Sequence, residues 1–324
     1  MSTMTQRWMT RVTTGALCAS LAPWSAVHAD YHQALSAGPR GSVEIVSVAG
    51  SVEIDGWDRP EVEVTGTPDD LAKRVRMSHS GDMTTINVEP AGVMSSLSGN
   101  DVHLVVHVPA KSSVTTSLVS ASLKVKGLQG DADLRSISGD IGGDVGGNLR
   151  VNTVTGTVRM SAPTAKWIEV QTVSGGVQLS GGSGEAELGT VSGTVKADLG
   201  TLTRGRFKSI SGNVTANFSM APDAEIEAES VSGTIKFAFA SIPAANVDVQ
   251  SFSGRIDNCF GPKPWEPQYG PGTKLSFRSG DGRGSVRIAT KSGDVQLCTG
   301  GTRTAPAAMA MPKLSCWQDL LYVI

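Results

Sequence analysis

The hexapeptide Thr-Val-Ser-Gly-Thr-Val at residues 190–195 is one copy of a short motif that decides the fold of this 324-residue chain. The motif reads Ser or Thr, an apolar residue, Ser or Thr, Gly, any residue and a second apolar residue. Its eight close copies place their glycines at Gly139, Gly156, Gly175, Gly193, Gly212, Gly233, Gly254 and Gly293, the last copy with Lys in the first apolar slot. From Gly139 to Gly254 the copies recur about every 19 residues, which indicates a repeat architecture in which each unit packs on the next.

Apolar residues alternate on both sides of each glycine. In the copy around Gly175, Ile168 and Val170 precede the glycine by seven and five positions, and Val177 and Leu179 follow it by two and four. Such period-two alternation is typical of a β-strand with one buried face. A further apolar residue two positions before the glycine continues the apolar pattern, so the phase slips there. The slip predicts a bend between two strands, with the glycine in a conformation that other residues avoid.

One repeat therefore predicts a strand, a bend, a second strand and a return turn, and it cannot bury its apolar face alone. Rungs stacked about 4.8 Å apart would complete both the core and the hydrogen bonds. The predicted fold is all-β, a single-chain β-solenoid (β-helix-like) of about 19-residue rungs, with right-handed winding as the starting assumption. The Ser and Thr residues that flank the apolar bend residue are expected to stack into hydroxyl columns that satisfy one another and the bend backbone.

The composition fits a thin core with many turns, because the chain has 38 Gly but only 7 Phe, 6 Trp and 3 Tyr. A net charge of −2 gives no reason to expect a nucleic-acid partner. The outward position six residues before each glycine carries mixed charges, as on a solubilising surface. In sequence order this position holds Asp133, Arg150, Glu169, Glu187, Arg206, Glu227, Asp248 and Arg287.

Residues 1–29 have the pattern of a signal peptide. Arg7 and Arg11 form a positive segment, an apolar stretch follows, and small residues precede a predicted cleavage point after Ala29. No later stretch is apolar enough to span a membrane, so none is expected in the mature chain. The sequence therefore predicts an exported protein of the periplasm, the cell surface or the medium.

The remainder of the chain divides into three predicted regions. Residues 30–110 are expected to form a less regular N-terminal β cap and first rungs, with a degenerate motif copy at residues 47–52, and a second degenerate copy lies at residues 120–123 in the next region. Residues 111–298 are the regular β-solenoid, interrupted by a long loop at residues 260–273. Residues 299–324 lose the pattern, and a disordered tail, a docked segment and an altered reading frame all stay open.

The interval from Gly254 to Gly293 is twice the repeat period, so either two rungs fill it or one rung carries a long loop and an extra strand. Cys259 and Cys298 each lie five residues after a motif glycine. If one rung fills the interval, they lie in adjacent rungs with Cα atoms about 5 Å apart, which suits a disulfide. The prediction favours that bond, because the predicted compartment is oxidising, and it leaves Cys316 over.

The sequence offers little sign of chemistry. No HExxH, CxxC, GxSxG or Walker motif is present, and residues 142–148 bear only a faint likeness to a calcium-binding nonapeptide. Asp140 with Asp144, or Asp281 with Asp294, are carboxylate candidates only by proximity. No catalytic, cofactor-binding or metal-ligating residue is predicted, and no cofactor. In the Pro-rich loop at residues 260–273, Trp265 and Tyr269 are expected to form a contact site or, alternatively, a hydrophobic end cap.

The repeated motif, the leader and the segment from Gly41 to Trp57 resemble the bacterial putative-adhesin domain family, a family of largely unknown function, over roughly residues 40–298. The resemblance implies a β-solenoid on the envelope or secreted, adhesin-like and without a shared catalytic motif. We therefore expect a non-enzymatic protein that presents a surface to an unknown protein or glycan ligand. The oligomeric state is not predicted. A polysaccharide-active β-helix enzyme and a periplasmic envelope-stress accessory protein are the alternatives.

Overall fold

A computed structural model describes residues 31–67, 74–89 and 102–300. The predicted signal peptide and residues 301–324 of the predicted tail lie outside this part of the chain. The described residues form twenty β-strands joined in one sheet. The N-terminal strands are β1 (Tyr31–Ser36), β2 (Ser42–Trp57), β3 (Glu61–Thr67), β4 (Val75–Ser80), β5 (Met83–Val88) and β6 (His103–Pro109).

The central strands are β7 (Ser113–Leu128), β8 (Ala132–Ser138), β9 (Ile141–Val145), β10 (Leu149–Thr155), β11 (Val158–Ala162), β12 (Trp167–Gly181), β13 (Gly184–Ser209), β14 (Asn213–Ser230) and β15 (Ile235–Phe239). The C-terminal strands are β16 (Ala245–Ser251), β17 (Ile256–Asn258), β18 (Thr273–Arg278), β19 (Gly284–Thr290) and β20 (Val295–Thr299). Several of the long strands, such as β12, run through a motif bend, which is why one sheet contains all twenty.

The sheet folds on itself into two layers of parallel strands. In the first layer, which precedes each bend, Val170 of β12 lies between Val151 of β10 and Leu188 of β13. In the second layer, which follows each bend, Val177 of the same strand is the partner of Val158. Pairing of each repeat with the next in both layers is the arrangement of a β-solenoid, so the predicted fold class is confirmed.

The core lies between the two layers, where the inward alternate residues of both form one continuous apolar cluster. Small and β-branched side chains fill most of it. Near the C-terminal end, Phe207, Phe218, Phe237 and Phe239 are fully buried, with neighbouring ring centroids 4.9 to 6.3 Å apart. Four of the seven phenylalanines of the chain thus lie together in this part of the core.

The motif glycines lie in one column, and the reason for glycine is chiefly the close stacking of rungs. A Cβ atom placed on Gly175 would lie 2.0 Å from the carbonyl oxygen of Gly156, and one placed on Gly193 would lie 2.1 Å from that of Gly175. Gly175 also has a φ of 140°, whereas Gly193 has no positive φ. The expected unusual conformation therefore holds for some of the glycines, while the exclusion of a Cβ by the preceding rung is shared by all eight.

The bend differs from the sequence expectation at the apolar residue two positions before the glycine. The inward alternation continues to the Ser or Thr three positions before the glycine, which is buried. Ser209 shows why, since its Oγ accepts a hydrogen bond from the amide of Gly212 at 2.8 Å and donates one to the carbonyl of that glycine. Because the hydroxyl takes the inward place, the next residue, Ile210, faces solvent and is 52% exposed.

The order of rungs in space departs from the order in sequence at both ends. At the N-terminus, β2 lies between β5 and β7 in the first layer and between β6 and β7 in the second. At the C-terminus, the chain first makes the rung of β16 and β17, adds β18 antiparallel to β16, and then returns. The returning β19 and β20 lie between that rung and the rung of β14 and β15.

The interval between Gly254 and Gly293 is therefore one rung with a long loop and an extra strand, the second of the two alternatives. Because the returning rung pairs directly with the rung before it, Cys259 and Cys298 are neighbours with Cα atoms 4.8 Å apart, and the structure joins them as a disulfide. We propose that this bond forms under oxidising conditions and fastens the outermost C-terminal rung to the inner one.

Replacing a column glycine is expected to destabilise the whole solenoid. Gly193→Ala places a methyl group against the backbone of the preceding rung, and we expect the free energy of unfolding to fall by about 2–4 kcal/mol. Gly176→Ala is the matched control, since its Cβ would meet only Thr157 Cγ2 at 3.8 Å. Urea unfolding should give a much lower midpoint for the first variant and an unchanged or slightly higher one for the second. Equal midpoints would contradict the stacking argument.

The cysteine pair makes a second prediction. Purified mature protein, denatured without reductant, should show one reactive thiol, from Cys316, and Cys298→Ser should lower the free energy of unfolding by ~2–4 kcal/mol. Cys316→Ser is the control for the loss of a cysteine and should leave stability unchanged. Three reactive thiols in the wild-type protein would show that the bond is absent.

Candidate binding surface

The apolar residues two positions before the glycines form a row along the outside of the solenoid, here called the apolar row. In spatial order it consists of Val48, Val119, Ile137, Val154, Val173, Val191, Ile210 and Val231, followed by Lys291 and Phe252. The apolar members are between 36% and 57% exposed. With about 4.8 Å between rungs, the stretch from Val48 to Val231 is about 34 Å long.

From Val119 to Val231, the apolar row forms one wall of an open groove of about 960 Å³. The residues four positions before the glycines form the other wall, here called the middle row. In spatial order the middle row is Arg135, Asn152, Gln171, Gly189, Lys208, Glu229 and Ala289. The buried Ser and Thr column lies beneath the groove. The groove thus has an apolar wall and a mainly polar wall, and it is open to solvent.

Hydroxyl groups follow the apolar row on its other side, one position before each glycine. Some of them reach back across the rungs, as Thr155 Oγ1 donates to the carbonyl of Ile137 and Ser211 Oγ to that of Val191, each at 3.2 Å. The buried column is bonded less evenly, since Thr172 and Thr190 have hydroxyl oxygens without a hydrogen-bond partner. The expected hydroxyl columns therefore exist, and they bind the bend backbone more than one another.

The residues six positions before the glycines form a third outward row, here called the charged row. Its neighbours form ion pairs along the row, with Arg150 Nε 3.0 Å from Glu169 and Arg206 Nε 3.6 Å from Glu227. Between the rows, Arg135 donates two hydrogen bonds to Asp133, and this contact raises the pKa of the guanidinium. Such exposed pairs contribute little to stability individually.

A second, smaller depression of about 440 Å³ lies on the second layer near the N-terminus. It exists because Gly142 has no side chain between Lys124 and Arg159. Beside it, Lys126 donates a hydrogen bond to Glu53, which lowers the pKa of that carboxyl group. His103 Nδ1 lies 2.7 Å from Ser51 Oγ at its edge.

The candidate carboxylates serve the backbone rather than a shared site. Asp140 accepts a hydrogen bond from the amide of Thr157 at 2.8 Å, and Asp294 accepts one from the amide of Arg255 at 2.9 Å. Asp144 likewise accepts from the amide of Gly127, and Asp281 pairs with Arg283. Within residues 31–67, 74–89 and 102–300, no three His, Cys, Asp or Glu side chains are grouped as metal ligands would be.

The loop before β18 holds both predicted contact aromatics on the surface. Trp265 is 62% exposed and Tyr269 is 86% exposed, and the backbone of Trp265 pairs with Lys274. Neither side chain covers the core. That place is taken by Phe260, which packs edge-on against Phe239 at 5.7 Å, so the end-cap alternative is wrong for these two residues and the contact alternative stays open.

The sequence pattern contained the apolar row, but its interpretation as part of the buried alternation was wrong. The available signal was the buried hydroxyl position, because a Ser or Thr in every repeat at the inward phase marks the start of the bend. The described part of the chain contains no helix with the length and apolar character needed to cross a bilayer.

Several solved structures resemble this chain at low sequence identity. A "putative adhesin" of Bacteroides fragilis is 10% identical, covers 83% of this chain and 96% of its own, and has a TM-score of 0.37. A "putative lipid binding protein" of Parabacteroides distasonis is 12% identical, with the same coverages and a TM-score of 0.35. A "putative cell adhesion protein" of Clostridium sporogenes is 11% identical, covers 84% of this chain and 100% of its own, and has a TM-score of 0.22.

Comparison with curated proteins gives no match. The family model described as Toastrack DUF4097 matches residues 42–298, which span the first rung, all eight glycines of the column and the last strand. The match covers most of the chain and includes the segment on which the sequence resemblance rested. The chain therefore belongs to the Toastrack DUF4097 family.

Proposed function

We propose that this protein is an exported, non-enzymatic, adhesin-like solenoid that binds a macromolecule of the cell envelope or of the extracellular space through its apolar row. The observation that carries the proposal is the row itself. Exposed apolar side chains are common singly, but a contiguous strip of them on a protein with this charge content typically marks an interaction surface.

The folding of the chain alone does not explain why the position two residues before each glycine is apolar. Solvent-facing positions four and six residues before the glycines are polar or charged in nearly every rung, whereas the position two residues before is Val, Ile or Phe in all but one. Because that position faces water, its apolar character adds little to the buried core. Contact with a partner would give these side chains the burial that the monomer does not.

The carboxylates favour a binding role over polysaccharide cleavage. A glycosidase needs two carboxyl groups on either side of one glycosidic bond, whereas the candidate carboxylates here accept hydrogen bonds from backbone amides or pair with arginine. The signal peptide expected at residues 1–29 supports export.

A lysine near the centre of the apolar row is expected to weaken binding strongly. Val173→Lys should reduce binding to cell-envelope fractions or glycans about tenfold or more, because a charge would be desolvated in the contact. Gln178→Lys adds the same charge to an exposed position on the second layer of the same rung and should bind like the wild type. Binding is measured by pull-down of wild type and variants on envelope fractions and a glycan array.

Three results would overturn the proposal or a part of it. Equal binding by Val173→Lys and Gln178→Lys would remove the apolar row as the contact surface, and loss of binding in Trp265→Ala would instead point to the aromatic loop. Release of sugars from any polysaccharide by the purified protein would overturn the non-enzymatic part.

A further inference from the structure

The charged row has a symmetry that appears only in space. Because the last rung inserts before the one that precedes it in sequence, the row runs Asp133, Arg150, Glu169, Glu187, Arg206, Glu227 and Arg287, with Asp248 beyond. Its signs are negative, positive, negative, negative, positive, negative and positive. When the row is laid against a reversed copy of itself, centred on Glu187, each of the six other charges meets a charge of opposite sign.

The same rung has a feature of shape at its centre. Gly189 is the middle-row residue of the rung that contains Glu187, and the fold does not require it to be glycine. A Cβ there would meet only Gln171 Cγ at the ordinary distance of 3.8 Å, and its φ is not positive. The missing side chain leaves the centre of this face open to the close approach of another backbone.

The middle row and the apolar row can also be laid against reversed copies of themselves, centred on the same rung. Reversal of the middle row about Gly189 brings together Arg135 with Ala289, Asn152 with Glu229, and Gln171 with Lys208, and none of these pairs has like charges. Reversal of the apolar row about Val191 brings apolar residues together at one, two and four rungs from the centre. At three rungs Lys291 meets the place of Ile137, where a lysine can keep its ammonium group in water.

We propose that the partner of this face is a second copy of the chain, docked with its rungs in reverse order about a twofold axis through Glu187, Gly189 and Val191. A second copy has the same spacing between rungs by necessity, because backbone hydrogen bonds set it. Closed twofold dimers are the commonest oligomers, and in them one surface meets itself. Asp133 then faces Arg287, Arg150 faces Glu227 and Glu169 faces Arg206, each pair occurring twice.

The size of the face sets the expected strength of the dimer. From rung and residue spacings it measures roughly 30 Å by 15–20 Å, on the order of 500 Å² per copy. A standard stable interface buries about 800 Å² per partner, so the dimer belongs to the weaker class and should dissociate in the micromolar range. The inference rests on the proposed function in taking the apolar row as the contact surface, and it adds the identity of the partner.

The first test is sedimentation velocity of the mature protein from about 1 to 500 µM. Wild type should shift from monomer to dimer across this range. Gly189→Glu adds bulk and a second negative charge beside the axis, and it should weaken the dimer at least tenfold. Gly142→Glu is the matched control, an outward glycine on the second layer, and it should associate like the wild type with the same thermal midpoint.

The second test is a charge exchange. Arg150→Glu and Glu227→Arg should each weaken the dimer, and the double variant should restore it. Within one chain these residues lie four rungs apart, about 19 Å, which is too far for them to couple directly. Rescue therefore reports a contact between copies. A monomer at every concentration, or a double variant no better than the single ones, would overturn the inference.

The two tests also separate this inference from the proposed function. A wild-type chain that stays monomeric but loses envelope binding in Val173→Lys would keep the apolar row as a contact surface and remove the second copy as its partner. A dimer abolished by Gly189→Glu, with envelope binding unchanged in Val173→Lys, would support self-association and overturn the proposed envelope contact.

Discussion

The closeness of successive glycine backbones is the constraint on which this structure depends. Each motif carbonyl occupies the space where the Cβ of the next motif glycine would be, so the bends stack without side chains between them. This contact brings both layers into register at once, because each strand on either side of the bend then starts at the same height as its neighbour. The hydroxyl column, the core and the outward rows all depend on this shared register, while backbone hydrogen bonds set the spacing between rungs.

Sequence reasoning predicts the local repeat well and the long-range order poorly. The glycine period, the two strands and the shared phase of Cys259 and Cys298 follow from spacing alone. The exposure of Val173 does not, because its pattern fits a buried phase as well as an outward one until Thr172 is seen to face inward. The position of β19 beside β14 also does not follow from spacing alone. Every rung has the same pairing pattern, so any rung could stack on any other.

A solenoid converts a sequence position into a straight row, so one substitution per repeat changes an entire face. Here three alternate positions, two, four and six residues before each glycine, give an apolar, a middle and a charged row with identical spacing. In sequence order the charged row looks like an ordinary mixed surface. In spatial order its charges are arranged about Glu187, and the difference arises from the exchange of Asp248 and Arg287 at the C-terminal end.

The inserted rungs at the two ends also constrain how the chain reaches its folded state. A repeat protein can ordinarily grow from one end, each new unit adding to the last. In this chain the rung around Val247 pairs with residues 284–299, which in turn pair with β14 and β15. The native order of the C-terminal rungs is therefore complete only when these last strands are present, and they connect the outermost rung to the rest of the solenoid.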